Sequence, residues 1–153
     1  MDPGVLFAGT LNVKVDEKGR LKLPALLKTR LEDRYKDEKA YFVTSLNGDR
    51  AFILPFSEYR RIMEIVAQRP QFDELKTKFV NAFNFWGAEA TLYDQGRMLV
   101  PSKLREAAGL AGDVTLVAHP RWVEVHNAGR YEAEVKGNPF QQADYKGLSE
   151  WGI

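Results

Sequence analysis

The sequence predicts an α+β fold. Two copies of one supersecondary unit pack about a pseudo-twofold axis into a small barrel with flanking helices. Three observations predict it. Residues 11–24 alternate apolar and polar side chains around an acidic, glycine-closed turn and end in proline. A close variant, Tyr-Asp-Gln-Gly-Arg-Met-Leu-Val-Pro, returns at residues 93–101. Two amphipathic stripes at helical spacing separate the copies. Neither copy should be stable alone, because an isolated hairpin is marginal in water.

The elements follow in order. Residues 1–9 are a lead-in, where Pro3 and Gly4 discourage regular structure. Leu11, Val13 and Val15 then alternate with Asn12 and Lys14, and Leu21 and Leu23 with Arg20 and Lys22. This period of two gives a hairpin with one apolar and one basic face. Asp16 opens the turn through a side-chain hydrogen bond, and Gly19 takes the positive φ that closes it. Pro24 ends the second strand and starts a helix with Leu27, Leu31 and Tyr35 on one face. The mixed charges of residues 32–39 read as a solvated helix end.

Residues 40–45 and 51–54 pair around the hairpin signal Asn47-Gly48-Asp49. Pro55 stops the strand, and Ser57 is the expected N-cap of a helix with the stripe Tyr59, Ile62, Met63 and Val66. Pro70 breaks that helix. Phe72, Leu75, Phe79, Ala82, Phe83 and Trp86 outline a second one, whose aromatic stripe reads as a packing surface. The pattern restarts with a strand at 88–93, a turn at 94–96 and a strand at 98–100. Pro101 opens a short helix that Gly109 ends. Residues 114–118 and 122–125 pair around His119-Pro120-Arg121, and Asn127 caps a last helix over 131–135. The polar stretch from Gly137 is expected to be a mobile tail, with Phe140 or Trp151 as an anchor. The expected organisation is a first repeat at 7–56, connecting helices at 57–86, a second repeat at 87–130 and the tail at 137–153.

Composition narrows the function. A hydrophobic fraction of 44% over 153 residues is enough for a real core. No apolar run approaches the roughly 18 residues of a membrane span, and the opening Met-Asp-Pro-Gly-Val-Leu-Phe lacks the basic segment of a secretory signal. Cysteine is absent, which excludes disulfides and thiolate metal sites and fits a reducing, cytoplasmic setting. The net charge is only +1, but its distribution is uneven. Residues 10–30 carry six basic side chains (Lys14, Lys18, Arg20, Lys22, Lys28, Arg30) against Asp16 and Glu17. Residues 88–108 carry Arg97, Lys103 and Arg105 against Glu89, Asp94 and Glu106. If charge drives binding, the first copy leads.

Catalysis fits poorly. The only histidines are His119, in a turn, and His126, at a strand end, and neither has a metal-ligand spacing. Ser45, Ser57, Ser102 and Ser149 lack a nucleophile-elbow context, and the glycines form no phosphate-binding fingerprint. No cofactor, metal or small-molecule substrate is expected. Arginine suits phosphate and guanine because its planar fork donates two parallel hydrogen bonds. A two-stranded ribbon can enter the major groove. Lys14, Lys18, Arg20 and Lys22 lie on or beside one such ribbon. The plainer alternative, from the residues alone, is that Arg20 only pairs with Asp16 and stiffens the turn.

A Gly-Arg-apolar-x-apolar-Pro signature after an acidic turn, present twice, resembles the MraZ family. The resemblance runs from about Phe7 to Val135. It implies two AbrB-like halves forming a double-split, swapped-hairpin-like β-barrel. It also implies Asp-x-x-x-Arg turns that bind double-stranded DNA, assembly into a homo-oligomeric ring, and a nucleoid-associated transcriptional regulator. The targets it implies are promoter repeats of the division and cell-wall gene cluster, including the chain's own promoter. Carried over by position, Asp16, Gly19 and Arg20 match, with Lys18 between them. In the second copy Gly96 and Arg97 match, but Tyr93 stands where the acid belongs and Asp94 follows it. AbrB-like folds also occur in antitoxins, so a protein-interaction module using the tail is the alternative this resemblance leaves open.

Overall fold

A computed structural model describes residues 4–36 and 38–153. Pro3 and Asp37, which enter the readings of the lead-in and of the charged helix end, lie outside the described residues. The elements are β1 Thr10–Val15, β2 Arg20–Lys22, α1 Ala25–Arg34, β3 Ala40–Thr44, β4 Ala51–Pro55, α2 Phe56–Ala67 and α3 Glu74–Trp86. Then follow β5 Ala88–Thr91, β6 Arg97–Leu99, α4 Ser102–Ala108, β7 Gly112–Ala118, β8 Val123–Asn127, α5 Ala128–Lys136 and α6 Gln142–Glu150. The strands form one antiparallel sheet in the order β5-β3-β4-β8-β7-β1-β2-β6. Its two ends, β5 and β6, meet at the turn between them, where Tyr93 N donates to Arg97 O at 3.0 Å. The sheet is therefore nearly a closed barrel, which leaves little free edge.

The opening stretch has the expected strands and turn but not the expected pairing. β1 and β2 share one pair, Val15 with Leu21. All six residues of β1 instead pair with β7, and all three of β2 pair with β6. The predicted local hairpin is thus split. The reason is length: β2 stops before Pro24 after three residues, whereas β7 offers β1 a full-length partner. Each unit covers the other's apolar face, forming the double-split barrel.

The halves are related by a local twofold axis through the Leu21–Met98 pair. The backbone bonds around it match. Asp16 N to Arg20 O (3.0 Å) corresponds to Tyr93 N to Arg97 O (3.0 Å), and Gly19 N to Asp16 O (3.0 Å) to Gly96 N to Tyr93 O (2.8 Å). Leu23 N donates to Gly96 O at 2.8 Å, and Val100 N returns the bond to Gly19 O at 2.9 Å. The core repeats the same correspondence. Val15 and Leu92, Leu21 and Met98, Leu23 and Val100, Leu27 and Leu104, and Leu31 and Ala108 are all buried in one cluster. Leu6 and Phe7 join it, so the lead-in is part of the core. Burying each such side chain contributes about 1.5–3 kcal/mol.

A second cluster of Phe42, Leu54 and Phe83 lies under α2 and α3, where Phe83 stacks with Tyr59 at 6.2 Å and with Phe79 at 4.7 Å. Phe72 and Leu75 do not share in it. Both are exposed: Phe72 precedes α3, and Leu75 lies in its first turn, where the Asp73 carboxylate accepts from Leu75 N and Lys76 N. The N-cap of α2 also differs from expectation. The helix starts at Phe56 after Pro55, and Ser57 lies inside it. The Glu38 carboxylate, brought in from before β3, accepts the Ser57 amide at 2.7 Å instead. Asn127 does cap α5, accepting from Arg130 N at 3.0 Å. The polar C-terminal stretch forms α6, closed at its start by a reciprocal Gln141–Asp144 capping box.

Candidate nucleic-acid interface

The site grows from the β2–β6 pair. Arg20 faces Leu99, Leu21 faces Met98 and Lys22 faces Arg97. Leu21 and Met98 point into the core, so Arg20, Lys22, Arg97 and Leu99 share the outer face. A turn stands at each end of this short ribbon.

The first turn is held by Asp16. Its Oδ1 accepts the Lys18 and Arg20 amides, both at 2.9 Å, and its Oδ2 accepts Arg20 Nε at 2.7 Å. The Arg20 amide does most to hold the Asp16 carboxyl below its usual range; desolvation opposes it, and the guanidinium and the Lys18 amide add to it. Both side chains stay substantially exposed, 44% for Arg20 and 40% for Asp16. The contact uses Nε and leaves the terminal Nη groups of the fork as donors. Gly19 closes the turn at φ +82°, and a Cβ there would run into the Arg105 guanidinium. Arg105, from α4 of the other half, donates to Val100 O at 3.2 Å. It joins Lys18 and Arg20 in lining the first turn.

The second turn repeats the backbone with different side chains. Gly96 has φ +79° and packs against Leu23 O and the Lys28 stem, as Gly19 does against Arg105. Tyr93 is exposed and offers no carboxylate. Asp94 turns to Lys39 at 3.2 Å, and Arg97 Nη1 donates to Gln95 Oε1 at 3.1 Å. Arg97 is half-buried, where Arg20 is exposed.

The two histidines converge elsewhere. His119 Nε2 lies 2.9 Å from Glu124 Oε2 and His126 Nε2 lies 2.9 Å from Oε1. Burial, the largest influence, pushes the Glu124 carboxyl up, but hydrogen bonds from His126 and Trp122 and the histidine charges bring it below its usual range. Among the described residues, no group of three or more acidic or histidine side chains is arranged to hold a metal. No described helix is long and apolar enough to cross a membrane.

No protein-family model matches the chain. A curated "Transcriptional regulator MraZ" of Acidobacterium capsulatum is 36% identical over 148 residues, 97% of this chain and 100% of the relative. The chain belongs to the MraZ family. A MraZ regulator of Koribacter versatilis is 34% identical over 148 residues, covering 97% of this chain and 100% of its own length. Another, of Heliobacterium modesticaldum, is 33% identical over 146 residues and 95% of each chain. The family resemblance first carried by two Gly-Arg turns therefore extends over nearly the whole chain.

Of the candidate residues read from the sequence, the fold gathers Asp16, Lys18, Gly19 and Arg20 in one turn, with Lys22 across from Arg97 and Gly96 in the other turn. Lys14 stands apart. It lies on β1 opposite Asp113 of β7 and pairs with it at 3.1 Å, with both side chains exposed. Sequence reading missed Arg105. Its signal was available in outline, since it and Lys28 follow Pro101 and Pro24 at the same distance. Only the exchange of halves shows that each packs on the other unit's turn.

Proposed function

We propose that this chain is a sequence-specific DNA-binding transcriptional regulator that presents the β2–β6 ribbon to double-stranded DNA. The observation that carries this reading is the outer ribbon face, where Arg20, Lys22 and Arg97 lie within one pair of short strands. The relatives named as transcriptional regulators support it. Asp16 does not compete with this role. By holding Nε it fixes the Arg20 fork in one direction, so less freedom is lost on binding. The first turn leads and the second, without its acid, supports. Phosphate contacts supply salt-sensitive affinity and Arg20 reads a base edge.

One ribbon makes few contacts, so the reading includes a homo-oligomeric ring that engages promoter repeats through several ribbons at once. Its targets are the promoter repeats of the bacterial division and cell-wall cluster, including its own promoter, and it works in the cytoplasm at the nucleoid. The test is a gel-shift titration on the DNA upstream of its own gene, with a shuffled competitor. Arg20→Ala should abolish specific retardation while the oligomer elutes unchanged on size exclusion. Equal affinity of the variant and the parent would overturn the reading.

A further inference from the structure

We infer that Leu99 reads DNA as well, by apolar contact with a thymine 5-methyl group beside the base met by Arg20. This rests on the DNA-binding reading above. The local twofold makes Leu99 the counterpart of Lys22, as Arg97 is of Arg20. The ribbon face is thus cationic at Arg20, Lys22 and Arg97 and apolar at Leu99. Leu99 is 52% exposed, although its neighbours Met98 and Val100 are buried. A lone exposed leucine is ordinary. This one lies directly opposite Arg20 and lines the same hollow as Arg20, Tyr93, Gln95 and Arg97.

Residues opposed across an antiparallel pair hold their Cβ atoms about 4.5–5.5 Å apart. Successive base pairs are about 3.4 Å apart. The stems of Arg20 and Leu99 are therefore close enough for the two side chains to face the same or neighbouring base pairs. In the major groove thymine presents a methyl group that apolar side chains read, whereas a lysine at the equivalent place seeks an acceptor. The two ends of the ribbon consequently differ in what they read.

The experiment compares full-length parent, Leu99→Ala, Leu99→Met and Arg20→Ala on the upstream duplex. The duplex is synthesised with thymidine or with deoxyuridine throughout, which removes the methyl groups. The parent should bind the thymidine duplex about four-fold more tightly, the effect of one buried methyl-sized group. Leu99→Ala should bind both duplexes alike, and Leu99→Met should keep the preference. If Leu99→Ala weakens both duplexes equally while preserving the preference, Leu99 only supports the Arg20 stem and the inference fails. A parent without preference also overturns it. Loss of binding in Arg20→Ala alongside either result leaves the DNA reading standing; absence of specific binding by the parent removes both.

Discussion

Leu21 and Met98 face each other across the β2–β6 pair, each fully buried, on the axis that relates the two halves of the chain. Leu21→Ala or Met98→Ala should each destabilise the fold by about 2–5 kcal/mol, through lost burial and the cavity left behind. The two side chains serve one packing site, so the double variant should depart from additivity by about 0.5–3 kcal/mol. Urea unfolding of the four-member cycle measures both quantities. Additive effects would show that the axis is not one packing unit.

The first turn should loosen in acid. Asp16 has its pKa lowered from the usual 3.8, so its contribution is present above that value and is lost as pH falls through the lower folded value. Hydrogen exchange of the Lys18 and Arg20 amides should accelerate, relative to the Gly96 amide, as pH drops below about 3.8. The second turn has Tyr93 in place of the acid and should show no such transition. In Asp16→Ala both amides should exchange freely at neutral pH; protection equal to the parent would remove Asp16 from the account.

Tyr41 is an internal weakness. It is fully buried, its hydroxyl has no hydrogen-bond partner among the described residues, and burial pushes its ionisation far up. Leaving a buried hydroxyl unsatisfied costs about 1–3 kcal/mol. Tyr41→Phe should therefore leave stability unchanged or raise it by about 1 kcal/mol, read as a higher midpoint in urea. A loss of stability would mean that the hydroxyl has a role in the folded chain.

Arg105 should act on DNA through charge rather than base reading. Arg105→Gln should lower affinity for specific and shuffled duplexes alike and make the log–log dependence on salt shallower by about one. A change confined to the specific duplex would place Arg105 in base recognition instead.

Much of this was legible one segment at a time. The Asp16–Gly19 turn, the caps at Asn127 and Gly109 and the helix after each motif proline follow from local backbone preferences, which a few neighbouring residues decide. Other features were not legible because distant groups decide them. Ser57 looked like a cap, yet Glu38 reaches the α2 amide from across the chain. Alternation marked Leu11, Val13 and Val15 as an inward face, but it carries no information on which strand lies alongside.

The sequence by itself determined that two like units, each with a Gly-Arg turn, make up this chain, because turn chemistry and side-chain period are encoded within a few residues. Tertiary structure alone decided that β1 joins β7, that Arg105 packs on the turn of Arg20, and that Lys22 meets Arg97 while Leu99 meets Arg20. The physical reason is the shortness of β2 and β6. Three-residue strands cannot bury their apolar side chains within their own unit, so each half takes its partners from the other. That exchange assembles the asymmetric basic ribbon.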